Sequence, residues 1–264
     1  MSKAFYPKGF YVELKNRGLI HVEGEDRYDF LQGLVSNDVH KLKEQPIIYS
    51  CLLTPQGKFL HDFFIHQGDG FLLLDCEGGE RADDLYERLN RYRLRSDVSL
   101  SVEHENKVYS TIGDEQIGLA DPRHYKMGRR SFEKPELNEM PFEEWDKERI
   151  MLQIPDGSRD MLVESSTLLE GNIDKINGVD WDKGCYMGQE LTARMHHRDL
   201  GKKHLYTITS EESFPEPFTE IRIDEKRVGN MRSSCGNIGL AALKDDLVSE
   251  IHHATSNSIR ILGL

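Results

Sequence analysis

Apolar and polar positions along this chain spell out a mixed α and β protein. Residues 1–14 lead into a first strand. Gly18 to Gly24 alternates apolar residues as a second, and Asp26 to Leu34 then places Phe30, Leu31 and Leu34 on one helical face. From Ile47 to Asp75 the period shortens to two. Ile47–Leu53, Phe59–His66 and Phe71–Leu74 read as a β-meander punctuated by Thr54-Pro55-Gln56-Gly57 and Gln67-Gly68-Asp69-Gly70. Glu80 to Tyr92 reads as a helix with Leu85, Leu89 and Tyr92 on its apolar face. Val98–Val102 and Lys107–Ile112 predict a hairpin across Glu105-Asn106, Asp121 to Leu137 predicts loop, and Pro141 to Met151 predicts a helix with proline at its start. After Gly201 the pattern turns to short strands at His204–Ser210, Glu220–Ile223, Arg227–Arg232 and Asn237–Ala242, which suits a small antiparallel barrel or sandwich. A boundary near Gly201 divides the chain into 1–200 and 201–264.

Composition narrows the class. The 264 residues carry 30% charged and 38% hydrophobic side chains, which suits a soluble globular protein. No apolar run approaches the roughly 20 residues of a membrane span, and the N-terminus lacks an apolar signal core. The chain therefore reads as cytoplasmic, although a mature organelle protein relieved of its transit peptide has the same appearance. A formal net charge of −12 argues against broad nucleic-acid binding. Local basic clusters remain at Lys126 to Arg130 and at Arg194, Arg198, Lys202 and Lys203, with His196, His197 and His204 among the latter. The four cysteines, Cys51, Cys76, Cys185 and Cys235, show no metal spacing. Cys51 and Cys76 sit in apolar strands and are expected to be buried. The adjacent pair His196 and His197 has no third ligand, so no metal site is expected.

Chemistry concentrates at Lys183-Gly184-Cys185-Tyr186-Met187-Gly188-Gln189-Glu190. The run Gln189 to Met195 lacks glycine and proline and predicts a helix. Cys185 then lies before a helix N-terminus, two residues from the charge of Lys183, and both favour thiolate, the form that attacks or ligates. An inert, half-buried cysteine fits the same local pattern. Gly184 and Gly188 read as positions needing unusual backbone angles. Arg194 follows Glu190 by one helical turn, which suits a surface ion pair as well as an oriented anion-binding arginine.

K-G-C-Y-M-G-Q-E resembles the signature of the YgfZ-type folate-binding proteins, relatives of the glycine-cleavage T-protein implicated in maturing iron–sulfur proteins. Phe30-Leu31-Gln32-Gly33-Leu34-Val35-Ser36-Asn37-Asp38-Val39 resembles the family's F-L-Q-G-x-x-(S/T)-N-D-V segment. Leu53 to Lys58 resembles its L-x-P-x-G-(K/R) turn, Tyr92 to Val98 the exit from its second subdomain, and Val228-Gly229 with Ser233 and Ser234 a C-terminal strand pair. The resemblance covers most of the chain and is least specific between Glu103 and Glu148. It implies an α+β, T-protein-like ring of three subdomains: two interleaved N-terminal α+β subdomains and a C-terminal small antiparallel β-barrel. It also implies tetrahydrofolate or a derivative as cofactor.

Gly57 to Asp62 resembles the T-protein's G-G-x-x-D-D strand, with His61 in place of the first aspartate. Asp62 is then the expected folate carboxylate, with Arg194 and Tyr186 as further pocket residues; a strand-end carboxylate satisfied by a neighbour is the plain alternative. The function implied is a folate-binding accessory factor for assembly or repair of iron–sulfur clusters. It acts through Cys185 with Lys183 and engages assembly proteins or client enzymes transiently. The alternative is a folate-dependent aminomethyltransferase of T-protein type, the one-carbon transferase chemistry expected if the chain is an enzyme. An interaction protein or a tRNA-modification factor using Arg194 to His204 is a third reading.

Overall fold

The computed structural model describes residues 9–103, 105–114, 116–223, 226–248 and 259–262. Residues 1–8 of the stretch expected to lead into the first strand lie outside them, and β1 (Phe10–Glu13) occupies its described part. Chain order runs β1 (Phe10–Glu13), β2 (Arg17–Glu23), α1 (Arg27–Gln32), β3 (Ile47–Leu53), β4 (Phe59–Gln67), β5 (Phe71–Glu77), α2 (Glu80–Arg93), β6 (Ser99–Glu103) and β7 (Tyr109–Ile112). It continues with β8 (Leu119–Ala120), β9 (Arg129–Ser131), β10 (Asn138–Glu139), α3 (Phe142–Met151), α4 (Gln189–His197), β11 (Lys203–Ser210), β12 (Glu220–Ile223), β13 (Lys226–Cys235), β14 (Ile238–Lys244) and β15 (Ile259–Ile261).

The strands form three five-stranded sheets, ordered β10-β1-β7-β9-β8, β3-β4-β5-β2-β6 and β12-β13-β14-β11-β15. The first two interleave along the sequence. Two compact units result. One comprises Met1–Leu52, His61–Trp145 and Asn177–Met187; the other comprises Leu53–Leu60, Asp146–Ile176 and Gly188–Leu264.

Three local expectations need correction. Strands β6 and β7 are consecutive but form no hairpin: β6 pairs with β2, whereas β7 pairs with β1 and β9. The segment expected as loop contains β9. Its inward residue is not apolar but Arg130, 2% exposed and bonded to Asp75, so no hydrophobic period announces the strand. On α2, Leu85 and Leu89 are buried as the helical period requires, while Tyr92 is 41% exposed.

In the last sheet the period of two sorts residues cleanly. On β14, Leu240 and Ala242 join Ile150, Leu205 and Cys235 in one apolar cluster, and the alternate residues Ala241 and Leu243 join Ile208, Val228 and Met231 in another. Both faces are therefore apolar, as expected of a sheet whose outer face is also covered.

Candidate functional site

The segment ahead of α4 is fixed to the loop after α1 by a dense set of bonds, all within the first unit. Ser36 Oγ donates to the Gly178 carbonyl at 2.6 Å and accepts from the Cys51 amide at 2.9 Å. Asn37 Nδ2 donates to the carbonyls of Tyr49 and Asn177, both at 2.8 Å, and its Oδ1 accepts from the Asp38 amide. The Asp180 amide donates to the Ser36 carbonyl, and that of Met187 to the Gly33 carbonyl. The early motif thus acts as a seam that orders the signature loop, a role its sequence alone does not assign.

Lys183 closes this seam. Its Nζ donates to the carbonyls of Gln32, Val35 and Asn37 at 2.9, 2.7 and 2.8 Å, and lies 5.0 Å from the centre of the buried Tyr186 ring. The three ammonium protons match three acceptors. Burial lowers the Lys183 pKa to about 8. The sequence reading gave this charge to the neighbouring thiol; in the structure it is committed to three backbone carbonyls. Cys185 itself is exposed, and the other three cysteines are buried. Burial pushes the thiols of Cys51 and Cys76 up, that of Cys76 to about 12.

Beyond Cys185 the chain passes Gly188, with φ +80°, into α4. A Cβ on Gly188 would lie 2.4 Å from the Thr54 carbonyl oxygen, and one on Gly57 (φ +81°) would lie 2.7 Å from the Gly188 carbonyl oxygen. The L-x-P-x-G turn and the helix start therefore meet glycine to glycine. Gly184 has open space and no positive φ, so the expectation of a conformational need there is not met. Arg194 is half-exposed, 4.0 Å from the outward-facing Glu190. This is the geometry of an ordinary surface pair. Nearby, Lys203 pairs with Glu170 at 2.8 Å and His204 with Asp245 at 2.8 Å, which consumes part of the basic cluster.

On β4, His61 and Asp62 point to opposite faces. His61 bonds Asp84 of α2 at 2.8 Å, and burial lowers its pKa to about 4. Asp62 is 4% exposed and accepts from the Tyr49 hydroxyl at 2.8 Å; burial, with the Asp62 charge, holds that phenol well above its ordinary pKa, so it stays a donor. Around this pair lies a buried charged cluster that sequence reading missed. Arg17 and Arg130 both bond Asp75, and Arg123 bonds Asp121. The guanidinium carbons of Arg130, Arg123 and Arg17 stand 3.9, 4.7 and 5.7 Å from the Phe64 ring centre. Against the upward push of burial, Arg130 and Arg17 hold the Asp75 carboxyl far below the usual range. Among the described residues no group of three or more His, Cys, Asp or Glu is placed to hold a metal, and no helix is long and apolar enough to cross a membrane.

Comparison with known proteins adds three findings. Residues 202–260 match the family described as CAF17, C-terminal beta-barrel domain. The chain is 29% identical to a protein of Pyricularia oryzae over 91% of its own length and 73% of that protein. It is 32% identical to one of Mycosarcoma maydis over 75% of its length and 56% of that protein. Both are named iron-sulfur cluster assembly factor IBA57 homolog, mitochondrial. That location overturns the cytoplasmic expectation; bulk composition is alike in the two compartments and held no information on it. The crystal structure of glycine cleavage system aminomethyltransferase T from Bartonella henselae superposes with a TM-score of 0.66 at 13% identity, covering 90% of this chain and 78% of that one. The chain thus has the aminomethyltransferase T fold with a CAF17-type β-barrel at its C-terminal end, and along most of its length it is similar to the IBA57 assembly factors.

Proposed function

We propose that this protein is a mitochondrial accessory factor for assembly or repair of iron–sulfur clusters, of the YgfZ type within its broader kinship, with Cys185 as its working thiol. The observation that carries the reading is the Lys183 tie. One buried ammonium joins the K-G-C-Y-M-G-Q-E loop to the F-L-Q-G-x-x-S-N-D-V segment and leaves Cys185 as the sole exposed cysteine of four. A single thiolate does not satisfy a cluster that takes four ligands. Cys185 therefore supplies one ligand transiently, and the remaining ligands come from an assembly protein or client enzyme. The names of the relatives support the assembly-factor reading.

Tetrahydrofolate is the cofactor we propose, on the strength of the T-protein fold. Asp62 offers the pterin-facing carboxylate and Tyr186 a wall. The expected behaviour in a calorimetric titration is saturable binding by the wild type, loss in Asp62→Asn and retention in Cys185→Ala. Failure of the wild type to bind any reduced folate would leave the fold as scaffold only. The aminomethyltransferase alternative asks for paired aspartates on β4, and the first position is His61, bonded to Asp84 on the other face. No geometry favours it. A tRNA-linked role rests on Arg194 to His204, where Lys203 and His204 are already paired with Glu170 and Asp245.

A further inference from the structure

Trp181 stands four residues before Cys185 and is 37% exposed, a large indole left in part to solvent. A single exposed apolar side chain is ordinary on a protein surface. The turn carrying this one, however, is clamped on both sides. Asp180 Oδ1 accepts from the amides of Asp182 and Lys183, both at 2.8 Å, and Asp180 Oδ2 takes Lys41 Nζ at 2.6 Å. The Asp180 amide donates to the Ser36 carbonyl at 3.0 Å, and Lys183 is held by the carbonyls of Gln32, Val35 and Asn37. Trp181 thus lies between two anchored residues, all within the first unit. Its segment is ordered before any partner arrives, which removes a cost that binding otherwise meets. Along the same loop Lys183 and Tyr186 are buried, whereas Trp181, Asp182, Gly184 and Cys185 are exposed. The indole and the thiol therefore share the outward side of one ordered loop.

Cluster geometry places Trp181 under the partner. Cys185 supplies one of the four ligands that a cluster takes. Among the described residues no group of three or more His, Cys, Asp or Glu is placed to supply the rest. A protein that completes the set brings its own surface onto the outward side of this loop. A specific interface covers about 800 Å² of each partner, a round patch about 16 Å in radius. Four residues of chain reach at most about 14 Å, so Trp181 falls inside a patch centred on Cys185. The thiol offers such a contact little apolar area. The indole offers the large, stiff surface on which interface energy concentrates. Between the two, a Cβ on Gly184 would meet open space, which leaves the approach clear.

We infer that Trp181 is the docking anchor beside Cys185: its indole enters an apolar recess on the protein whose thiolates complete the cluster, and so holds those ligands against Cys185. The inference rests on the reading of Cys185 as a cluster ligand. The test is complementation of cells lacking this protein, at native and at raised abundance, reading mitochondrial iron–sulfur enzyme activity. Trp181→Ala should weaken docking about tenfold. It should then restore little activity at native abundance and most of it at about tenfold raised abundance, since mass action offsets a weaker contact. Trp181→Phe keeps an aromatic ring and should restore activity at both, and Cys185→Ser at neither. Purified Trp181→Ala should keep the wild-type rate of Cys185 alkylation by iodoacetamide. Full restoration by Trp181→Ala at native abundance, or equal failure at both, would overturn the inference. So would an altered alkylation rate, which assigns Trp181 to the ordering of the loop. If Trp181→Ala does not fold, Gly184→Gln decides. Its side chain enters open space but stands in the approach, so it should show the same dependence on abundance; full restoration at native abundance would overturn the inference. Restoration by Cys185→Ser would instead remove the reading on which the inference rests.

Discussion

Removing the Lys183 ammonium strands three carbonyl groups at once, those of Gln32, Val35 and Asn37. Lys183→Met keeps the aliphatic stem and deletes only the donors. It should destabilise the protein by about 2–4 kcal/mol in chemical denaturation, because buried unpaired acceptors each cost on the order of 1 kcal/mol or more. Cys185→Ala is the contrast. The thiol is exposed, so stability should change by less than about 0.5 kcal/mol, and any functional loss is then chemical. The two substitutions separate ordering of the loop from use of the sulfur. The sequence identified both residues but read Lys183 as a charge for the thiol. Spacing along the chain cannot show that the side chain turns inward to carbonyls about 150 residues earlier, since that contact exists only in the fold.

Among elements, the seat of α4 depends on two glycines in contact. Gly188→Ala forces a side chain onto a left-handed backbone and brings its Cβ within 2.4 Å of the Thr54 carbonyl oxygen. The expected cost is at least about 2 kcal/mol. Gly184→Ala meets open space and should be nearly neutral; a denaturant midpoint for each variant decides the comparison. The contact between β4 and α2 carries a pH dependence. Unfolded, the His61 imidazole titrates near its ordinary 6.5; folded, burial lowers it to about 4. Between those values the unfolded chain binds more protons, so stability is complete above pH 6.5 and falls as pH drops toward 4, by an amount of order 3 kcal/mol. His61→Gln should flatten this slope in thermal melts at pH 4–7. The part owed to His66, which burial shifts the same way, should persist. An unchanged slope would mean that His61 is already protonated by its Asp84 partner.

Over the whole molecule, strands whose buried residues are apolar were legible from their period, and β3, β12 and the start of β4 fall where the pattern puts them. Strand β9 was not, because its buried residues are Arg130 and Ser131, the arginine made acceptable by Asp75 at a separation of 55 residues. Interleaving, which the family resemblance implied, was hidden from the local pattern for a related reason. Local alternation announces β6 and β7, but no local feature states that they join different sheets. The candidate site divides similarly. The exposed thiol and the glycine turn could be read from the sequence, whereas the arginine cluster around Phe64 arises only from long-range packing.

The central claim is that the ordered signature loop presents Cys185 for cluster chemistry. Its most direct test is complementation of cells lacking this protein with wild type or Cys185→Ser, reading the activity of mitochondrial iron–sulfur enzymes at equal protein levels. The account predicts that wild type restores activity and that Cys185→Ser, folded and equally abundant, does not. Full restoration by Cys185→Ser would contradict it.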